Sequence, residues 1–389
     1  MSKKINIAML GTGFMGRAHS NGWIKVAKFF DVPYEPVLKV VFGRNKETTA
    51  AFAERWGYEF STQDWKEAVA RDDVDIVCVG TTTDTHKDIV LEAAKHGKAI
   101  FCEKPLAFSY KDACEMDDAV KKAGVLFYLN HNYRRVPAIA YAKKLIEKGK
   151  LGTMYHWRGA YLQDWIMDPN FPLTWHLRKE CANAGPLWDL GSHSVDLALY
   201  LVGDITEVTA ISKTFIAERP LPGKGAATFT AGKAENSKKG KVTVDDACFM
   251  VAEFANGVLG SFDTSRFAGG RKNRNKFEIY GSKGSITFNF EQMNVLQYLD
   301  GEDDRDSRGF RHIQCTQPTH PYAAAWWGPG HIIGYEHPFI HAMADFLVAH
   351  KKKKTITPNM EDGKKIMRVL DAALKSSREG RKVAVSEIK

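Results

Sequence analysis

The sequence has few of the features that mark secreted, membrane-spanning or metal-binding proteins. Its 389 residues include only six cysteines, and none of them forms a Cys-x-x-Cys pair, so neither a disulfide framework nor a zinc site is predicted. No apolar run is long enough to cross a bilayer. The apolar residues 5–10 are too few for a signal peptide and lead directly into glycines. We therefore expect a cytoplasmic protein with no membrane partner and no metal.

Positive charge is not concentrated enough to predict a nucleic-acid partner. The net charge is +9 at pH 7, but the one tight basic run, residues 351–354, follows a predicted helix and is typical of a solvated helix end. Hydrophobic residues make up 44% and charged residues 26% of the chain, as in globular proteins. Because 389 residues exceed what a single core usually holds, two domains are expected.

A glycine-rich turn near the start predicts a dinucleotide-binding site. Residues 4–10 form an apolar strand pattern, and a helix pattern begins directly after the last glycine. In the G-x-G-x-x-G fingerprint, the first glycine allows a tight turn, the second lets the backbone approach a pyrophosphate, and the third lets helix and strand pack closely. The phosphates then lie at the helix N-terminus, where N–H groups favour anions. The predicted cofactor contacts in this turn are Gly11, Gly13, Phe14, Met15 and Gly16.

Strand and helix patterns then alternate up to about residue 130. Apolar strands are predicted at 37–42, 75–79, 99–102 and 125–129, and helices at 46–56, 88–96 and 110–123. Continuous apolar strands separated by helices are typical of a parallel sheet covered on both faces. We therefore predict an α/β fold in which residues 1–130 form a doubly wound Rossmann domain.

The end of the second strand bears on the choice between NAD and NADP. An acidic residue there would hold the 2′-hydroxyl of the adenosine ribose, but the sequence reads Gly43-Arg44-Asn45-Lys46. Arg44 is suited to stacking on adenine or to contacting a 2′-phosphate, although it also fits an ordinary exposed loop. The motif favours tolerance of NADP and does not exclude NAD.

Two polar loops follow buried strands and lie at their carboxyl ends, where open α/β sheets bind ligands. One loop begins at Thr81, and the other holds Glu103 and Lys104. A charged pair at the end of a buried strand suggests a function, and a lysine near the nicotinamide can donate to a substrate hydroxyl. An ordinary exposed Glu–Lys loop is the alternative.

A carboxylate and an imidazole stand four residues apart in the stretch 185–193. Gly185-Pro186 opens this stretch and an apolar helical pattern follows, so the proline fits a first helical turn. On one helix Asp189 and His193 would share a face, where the acid can orient the ring and stabilise its charged form. A helix cap with a buried core histidine is the alternative.

Beyond residue 137 the pattern changes from helix–strand alternation to a series of alternating strands. A crossover helix is predicted at 138–148, strands at 154–162, 205–213, 248–254, 258–266, 276–280 and 285–290, and helices at 335–350 and 360–378. Asn256-Gly257, between two of these strands, indicates a hairpin.

The loop 163–176 combines aromatic and polar side chains, which suits carbohydrates because rings pack on C–H faces while polar groups meet hydroxyls. Its candidate substrate contacts are Gln163, Trp165, Trp175 and His176. Packing within the loop is the alternative. Residues 220–241, rich in Gly, Ala and Lys, are predicted to be an excursion or a partly mobile loop. Residues 305–336, with Trp326 and Trp327, are expected either to roof a substrate pocket or to build an oligomer interface.

The motifs taken together resemble those of the Gfo/Idh/MocA family of sugar and polyol oxidoreductases, over essentially the whole chain. Each motif alone is loose, but the set occurs in the family's order and spacing. The set is Gly11-x-Gly13-x-x-Gly16, Glu103-Lys104-Pro105, Asn132-Tyr133-Arg134-Arg135, and Gly185 followed by Asp189-x-x-x-His193. Within the family the chain resembles the levoglucosan-dehydrogenase-like and inositol-dehydrogenase-like members. The first likeness rests on Tyr161-Leu162-Gln163-Asp164-Trp165, Arg308-Gly309-Phe310-Arg311 and His320-Pro321-Tyr322.

The resemblance implies a fold, an assembly and a set of site residues. It implies that residues 131–389 form an α+β domain with a large, open, mostly antiparallel sheet, and that the last helices, about 335–380, return to the first domain. The nicotinamide would lie between the domains, and copies would join as homodimers or homotetramers through the open sheet. The implied catalytic residues are Lys104, Asp189 and His193, with a Lys104–Pro105 bond that is often cis.

The same resemblance assigns the remaining binding residues. The further cofactor contacts are Arg44, Thr81, Thr82, Thr83, His86, Glu103, Lys104 and Asn132. The substrate contacts are Lys104, Tyr133, Arg134, Gln163, Trp165, Trp175, His176, Asp189, His193 and Tyr335. Many members have Thr-Pro-Asn where this chain has Thr81-Thr82-Thr83, a departure that affects the detailed geometry of this loop and not the fold.

The predicted reaction is reversible hydride transfer between NAD or NADP and a secondary alcohol of a sugar, anhydrosugar or cyclic polyol. His193 takes the hydroxyl proton, Asp189 orients the ring, and Lys104 stabilises the developing alkoxide, with Lys104 and His193 able to exchange roles. One alternative is an NAD-dependent glycoside hydrolase that oxidises its substrate transiently. The other is a nicotinamide-sensing regulator without chemistry, against which the three intact residues argue.

Overall fold

Two structural units make up the protein in a computed structural model that describes residues 3–222 and 238–389. The first unit comprises the described residues up to 135, together with Ala324–Trp327 and Ile333–Lys364. The second unit comprises the described residues of 136–323, together with Gly328–Ile332 and Lys365–Lys389.

Strands and helices alternate through the first third of the chain. The elements are β1 (Lys3–Leu10), α1 (Phe14–Phe29), β2 (Tyr34–Phe42), α2 (Lys46–Trp56), β3 (Phe60–Thr62), α3 (Trp65–Ala70), β4 (Ile76–Val79), α4 (His86–Lys95), β5 (Ala99–Cys102), α5 (Tyr110–Ala123) and β6 (Phe127–Leu129). The six strands are parallel, in the order β3-β2-β1-β4-β5-β6. The order reverses between β1 and β4, the switch point at which such sheets bind dinucleotides. The predicted doubly wound Rossmann sheet is confirmed.

Burial explains why these strands are continuously apolar. Every residue of β4 and β5 is buried, as expected for a sheet covered on both faces. Aromatic rings fill the core, where Phe101 lies 5.6 Å from Trp23, 5.4 Å from Phe346 and 4.8 Å from Tyr128. Three predicted elements, α2, α5 and β5, have the predicted bounds. The short β3 and α3 were not predicted, because neither is long enough to show a period.

One large sheet dominates the rest of the chain. The elements are α6 (Pro137–Glu147), β7 (Met154–Leu162), α7 (Lys179–Ala182), α8 (Pro186–Asp189), α9 (Gly191–Leu201), β8 (Ile205–Lys213), β9 (Glu218–Pro220), β10 (Lys239–Lys241), β11 (Ala247–Phe254), β12 (Leu259–Ser265), β13 (Arg274–Gly281), β14 (Gly284–Asn289), β15 (Val295–Asp300), β16 (Arg311–Gln314), α10 (His337–Lys352), α11 (Met360–Glu379) and β17 (Val383–Ala384). Nine strands pair in the order β16-β15-β14-β13-β7-β12-β11-β8-β17. Only β7 and β12 pair in parallel among them, so the mostly antiparallel sheet is confirmed.

One face of this sheet is covered and the other is open. In β7 the side chains of Trp157 and Tyr161 are buried, whereas His156 and Arg158, on either side of Trp157, are exposed. On the covered face Trp157 stacks on Phe277 at 5.2 Å, with the ring planes 14° apart. The hairpin predicted at Asn256-Gly257 joins β11 to β12. The covered face therefore holds the core of this unit, and helix α9 packs against β7.

Two stretches that were hard to interpret from sequence are partly explained by the structure. The predicted excursion at 220–241 falls mainly on residues 223–237, which lie outside the described residues, while its flanks β9 and β10 pair as a ribbon. Residues 305–336 contain β16 at the edge of the large sheet, a strand too short to predict. Trp326 packs into the first unit, 4.4 Å from the rings of Phe29 and His337. Trp326 is therefore a packing residue, and the two roles expected for the stretch stay predictions.

The unfolding free energy should fall below neutral pH because His341, on α10, is buried as a neutral imidazole. Its Nε2 accepts from Nε1 of Trp326 at 2.7 Å, and its Nδ1 donates to the carbonyl of Arg135 at 2.8 Å. Burial lowers the pKa of His341 to about 3, whereas an unfolded chain protonates histidine near 6.5. Between these values only the unfolded state gains a proton. This histidine should therefore lower the unfolding free energy by about 1.4 kcal/mol for each pH unit of acidification.

Denaturant unfolding at about pH 7, 6 and 5 measures this slope. Replacing the buried histidine, His341→Gln, should make the slope shallower by up to about 1.4 kcal/mol per pH unit. His312→Gln, which replaces an exposed histidine, serves as the control and should leave the slope unchanged. An unaltered slope in the His341 variant would contradict the assignment of the neutral form.

The structure bears on three features of the described residues: membrane-spanning helices, metal-ligand groups and cysteines. No helix among residues 3–222 and 238–389 is both long and apolar enough to span a bilayer. Within the same residues, no group of three or more His, Cys, Asp and Glu side chains is arranged to hold a metal ion. Cys78 and Cys102 are free thiols and buried, as their apolar surroundings predict.

Candidate active site

The glycine-rich turn between β1 and α1 is shaped by close backbone contacts. Gly11 has a φ of +112°, and a Cβ there would lie 2.7 Å from the carbonyl oxygen of Gly80. A Cβ on Gly16 would lie 2.2 Å from the carbonyl oxygen of Gly11, whereas a Cβ on Gly13 would meet no atom within 4 Å. The space beside Gly13 therefore suits a pyrophosphate at the N-terminus of α1, whose first turn has no acidic side chain.

Gly16 and Gly13 should respond differently to alanine. Gly16→Ala places a methyl group against backbone, so it should cost about 1–3 kcal/mol of stability and also impair NAD binding. Gly13→Ala should leave the melting temperature unchanged, because its Cβ is in open space. It should nevertheless weaken NAD binding by about tenfold or more, since the methyl group occupies the place of the pyrophosphate.

Differential scanning fluorimetry and NAD titration of both variants separate the two effects. Gly97→Ala is a poor control because of its positive φ, whereas Gly309 has an ordinary φ and an unobstructed Cβ direction. Gly309→Ala should therefore match the wild type in both measurements. Unchanged NAD affinity in Gly13→Ala would show that the turn does not hold the phosphates.

The tip of β2 carries the basic Arg44 and no acidic residue. Arg44 is exposed directly after the buried Gly43. The next residue, Asn45, caps α2, and its side chain accepts from the N–H of Thr48 at 2.9 Å. The structure thus leaves Arg44 accessible to a ligand, as the sequence predicted.

His86 connects two of the strand-end loops from within the protein. Its ring nitrogens lie 3.0 Å from the carbonyl oxygen of Pro105 and 3.2 Å from that of Thr81. Burial lowers the pKa of His86, so the neutral ring donates to one carbonyl at a time. Thr81 and Thr82 are partly exposed, and Thr83 is buried at the start of a short 3-10 turn. His86 therefore braces the two loops through main-chain carbonyls, and its predicted contact with the cofactor stays a prediction.

Lys104 follows β5 directly, and its peptide bond to Pro105 is cis, as the family resemblance implies. The preceding Glu103 has a side chain that is only 4% exposed. Its carboxylate accepts from the main-chain N–H of Lys104 at 3.1 Å and from Nδ2 of Asn130 at 2.6 Å. Glu103 is therefore directed into the protein, and the cofactor contact predicted for it stays a prediction.

The residues after β6 are packed inside the first unit. Asn132, Tyr133 and Arg134 are all buried. Arg134 forms an ion pair with Asp362 at 3.1 Å, so part of its guanidinium is engaged within the unit. The contacts of these three residues with cofactor or substrate stay predictions.

Two predicted ligand contacts that are far apart in sequence meet in the first unit. The ring of Phe14, at the start of α1, lies 5.9 Å from that of Tyr335. Phe14 is 45% exposed, and Met15 and Tyr335 are partly exposed. The glycine-rich turn is therefore bordered by aromatic surface.

The stretch 185–193 differs from its prediction in one respect, because the helix is interrupted. α8 ends at Asp189 and α9 begins at Gly191, and the N–H of His193 donates to the carbonyl of Leu190 at 3.1 Å instead of continuing an α-helical ladder from Asp189. The prediction of one continuous helix is therefore wrong, while the shared face of Asp189 and His193 stays a prediction. The start of α8 is fixed by the buried Asp245, whose carboxylate accepts from the N–H groups of Gly185 and Leu187.

Asp189 is held by a partner that the sequence did not reveal. Its carboxylate pairs with Nη2 of Arg266 at 2.7 Å, and the arginine side chain is 1% exposed. Nη1 of Arg266 donates to the carbonyl of His176 at 3.4 Å. The guanidinium also lies over the ring of Trp165, 5.2 Å from its centroid. Arg266 thus joins the acid to the aromatic loop, which makes Asp189 a fixed acceptor.

The predicted substrate loop forms a wall of rings in the second unit. Trp165 lies 5.3 Å from His176 and 5.2 Å from Phe171, and Trp175 stacks on His176 at 3.6 Å. The buried Arg219 fixes this loop, because its guanidinium donates to the carbonyls of residues 166, 168 and 171. The loop is therefore held rigidly through its main chain.

A chain of hydrogen bonds connects this wall to Tyr161, whose ring contacts that of His193. Nε1 of Trp165 donates to Gln163, and Nε2 of Gln163 donates to Oδ1 of Asn273 at 3.0 Å. The same oxygen accepts from the hydroxyl of Tyr161 at 2.7 Å, and the Tyr161 ring lies 5.7 Å from that of His193. The structure thus brings together Gln163, Trp165, Trp175, His176, Asp189 and His193, all predicted as substrate contacts, in the second unit.

Sequence reasoning missed four residues of these arrangements, namely Arg219, Asp245, Arg266 and Asn273. Arg266 had a usable signal, because it ends a predicted strand and a charge at a strand end is notable. The other three lie in or beside loops with no pattern that distinguishes them. Their partners are up to 112 residues away in sequence.

Comparison with known proteins agrees with this geometry. Residues 5–131 match the model of an oxidoreductase family with an NAD-binding Rossmann fold, and residues 139–287 match a GFO/IDH/MocA C-terminal domain. Levoglucosan dehydrogenase of Pseudarthrobacter phenanthrenivorans is 40% identical over 99% of both chains. Myo-inositol 2-dehydrogenase of Thermotoga maritima is 26% identical over 99% of both chains.

Solved structures of oxidoreductases are also similar to this chain over nearly its whole length. The complex of levoglucosan dehydrogenase with NADH superposes with a TM-score of 0.93 at 39% identity, covering 98% of this chain and 99% of that one. An oxidoreductase domain protein from Kribbella flavida superposes with a TM-score of 0.94 at 43% identity and the same coverage. The glycine turn, the lysine loop and the paired Asp189 are therefore parts of an NAD-binding oxidoreductase, and the chain belongs to the Gfo/Idh/MocA family.

Proposed function

We propose that this oxidoreductase transfers hydride between a secondary alcohol of a sugar, anhydrosugar or cyclic polyol and NAD. The observation that supports this most is the arrangement in the second unit. There the Asp189–Arg266 pair adjoins a wall of rings formed by Trp165 and His176. Fixed acceptors beside flat apolar rings suit a ligand with hydroxyl groups on a C–H surface.

The proposed mechanism assigns one task to each side chain. When bound in the glycine turn, NAD supplies the hydride acceptor. His193 takes the proton of the reacting hydroxyl while the C–H bond of the carbon that carries this hydroxyl breaks. Asp189 supports the charge that the imidazole ring of His193 gains. Lys104 donates to the same oxygen and stabilises the developing alkoxide. In the reverse direction, His193 returns the proton to the oxygen.

The cofactor is held by residues of the first unit. The open space at Gly13 and the close packing at Gly16 fit a pyrophosphate, while Thr81 and Thr82 are partly exposed at the next loop. We propose NAD as the working cofactor and tolerance of NADP through Arg44, because this exposed guanidinium can contact a 2′-phosphate. Arg44→Ala should then weaken NADP binding more than NAD binding.

Absorbance of reduced nicotinamide tests the proposed reaction. The protein is incubated with NAD and then NADP against levoglucosan, 1,5-anhydroglucitol, myo- and scyllo-inositol, glucose, xylose and several glycosides. A rise with at least one member supports a dehydrogenase and identifies substrate class and cofactor together. Glycoside cleavage without net NADH would instead indicate a hydrolase with transient oxidation. Tight cofactor binding without any turnover would indicate a regulator.

We also propose that the open face of the large sheet joins copies of this chain into a homodimer or homotetramer. Large apolar side chains are exposed on neighbouring strands of this face: Ile211, Phe249, Val251 and Leu259. Phe249 pairs in register with Ile211, so these side chains form a continuous surface. Such surfaces mark association sites. Sedimentation equilibrium gives the state, and a monomer at micromolar concentration would contradict the proposal.

A further inference from the structure

A buried charged cluster lies next to the Lys104 loop. The carboxylate of Glu103 accepts hydrogen bonds from Nε2 of His19 at 2.7 Å, from Nδ2 of Asn130 at 2.6 Å and from the main-chain N–H of Lys104 at 3.1 Å. The side chains of His19 and Glu103 are 0% and 4% exposed. Three donors from separate segments therefore converge on one carboxylate, and one of them is the amide of the proposed catalytic lysine.

The cluster connects the elements on which the cofactor site is built. His19 lies on α1, one turn beyond Gly16 of the glycine-rich turn, while Glu103 follows β5. Asn130 follows β6, and its N–H donates to the carbonyl of Cys102 at 2.7 Å. The ion pair thus joins the phosphate-binding helix to the lysine loop through side chains.

Electrostatics and packing both fix this pair. Burial opposes a charge on His19, but Cys78 and Glu103 together raise the pKa of its imidazole to about 10. Burial also opposes the charge on Glu103, yet the hydrogen bond and charge of His19 lower the pKa of this carboxyl. The other ring nitrogen of His19 lies 3.4 Å from Sγ of Cys78, and the rings of Phe101 and Phe339 pack edge-on at 5.5 Å. The imidazole is therefore enclosed and fixed in orientation.

We propose that His19 and Glu103 are positioning residues, which hold the main chain of Lys104 in place and tie it to the helix that binds the cofactor phosphates. This inference rests on the proposed role of Lys104 in hydride transfer. A buried ion pair adds little net stability, because desolvation of the two charges offsets their attraction. The direct bond from the carboxylate to the lysine amide therefore points to placement of Lys104 as the function of the pair.

The test uses variants that keep the shape of the cluster and a matched control elsewhere. Glu103→Gln and His19→Gln remove the charges singly, and the double variant removes both. The control is Asp117→Asn, because Asp117 is equally buried and pairs with Lys364 at 2.5 Å and with Lys121 at 2.8 Å. Asp117 has been placed in no part of the proposed machinery, so its loss reports the cost of breaking a buried ion pair.

Three measurements are made on each full-length variant: melting temperature, NAD dissociation constant, and the rate at which trinitrobenzenesulfonate labels Lys104 without cofactor, read by peptide mass spectrometry. We expect Glu103→Gln and His19→Gln to change the labelling rate severalfold and to leave NAD affinity within about threefold. With an active substrate, kcat should fall by about tenfold to hundredfold, the effect of slight misplacement of a reacting group. The double variant should be no worse than the worse single one, since the two residues act as a unit. Asp117→Asn should lower the melting temperature alone.

Other outcomes would overturn the inference in distinguishable ways. Unchanged labelling and kcat, with a melting temperature lowered as in Asp117→Asn, would leave the pair a structural one only. Lost NAD affinity with unchanged labelling would make Glu103 a cofactor contact, as the sequence predicted. If Glu103→Gln does not fold, His19→Gln decides between the same outcomes. If the wild type oxidises no alcohol, the proposed function fails, while the labelling rates still test the placement of Lys104.

Discussion

Replacing Lys104 and His193 together by alanine is expected to abolish turnover while leaving NAD affinity largely intact. In the proposed reaction the hydroxyl loses its proton and its oxygen carries developing negative charge. His193 is proposed to accept the proton, and Lys104 is proposed to stabilise the charge. Each single substitution should lower kcat by about 10²–10⁴-fold, the usual contribution of a general acid or base. The phosphate-holding turn involves neither side chain, so the cofactor should still bind.

Quenching of protein fluorescence by NAD and steady-state kinetics measure the two quantities on the same samples. Trp175→Phe is a useful companion variant, because it alters the predicted substrate loop without removing a proton acceptor, and it should change KM more than kcat. Because Lys104 and His193 are proposed to serve one oxygen, the double variant should lose less than the product of the single losses. Turnover retained in the double variant would contradict the roles assigned to both residues.

The Rossmann part of the fold could be predicted nearly completely because its signals are local. Continuous apolar strands, a glycine turn seven residues into the first strand pattern, and helices of ten or more residues each show in one stretch of sequence. Even there β3 and α3 were missed, since three and six residues give no period. In the second unit six strands were predicted, but β15, the β9–β10 ribbon and the edge strands β16 and β17 were not.

The candidate site was predicted in its residue types and not in its connections. Asp189 and His193 were singled out, but the helix break at Leu190 depends on how α8 is anchored by Asp245, which lies 60 residues from Gly185 in sequence. The burial of Glu103 was likewise not predicted, because its sequence neighbourhood is typical of an exposed loop. Only its bonds to His19 and Asn130, 84 and 27 residues away, show that it is buried. Spacing reveals candidates for chemistry, whereas long-range contacts decide which of them face a ligand.

Replacing Arg266 by methionine should be the most damaging single change outside the three proposed catalytic residues. Methionine fills similar space but cannot pair with Asp189, donate to the carbonyl of His176 or offer a cation to the ring of Trp165. We expect kcat/KM for the sugar to fall by about tenfold to hundredfold, because the Asp189 carboxylate and the rings of Trp165 and His176 are no longer held in place by one guanidinium. Arg266→Lys should recover only part of the loss, since an ammonium lacks the planar fork.

Steady-state kinetics with NAD titration checks this expectation, and Arg271→Met is the matched control. Arg271 lies on the neighbouring loop with a side chain that is 44% exposed, and its guanidinium is 3.7 Å from Glu291, so its loss should change kcat/KM little. NAD affinity should be unaltered in both variants, because neither residue belongs to the unit that we propose to hold the phosphates. If Arg266→Met keeps wild-type kinetics while Asp189→Asn is inactive, Asp189 acts without its partner. A loss shared by Arg266→Met and Asp189→Asn, with no further loss in the double variant, would instead show that the acid works only when the arginine fixes it.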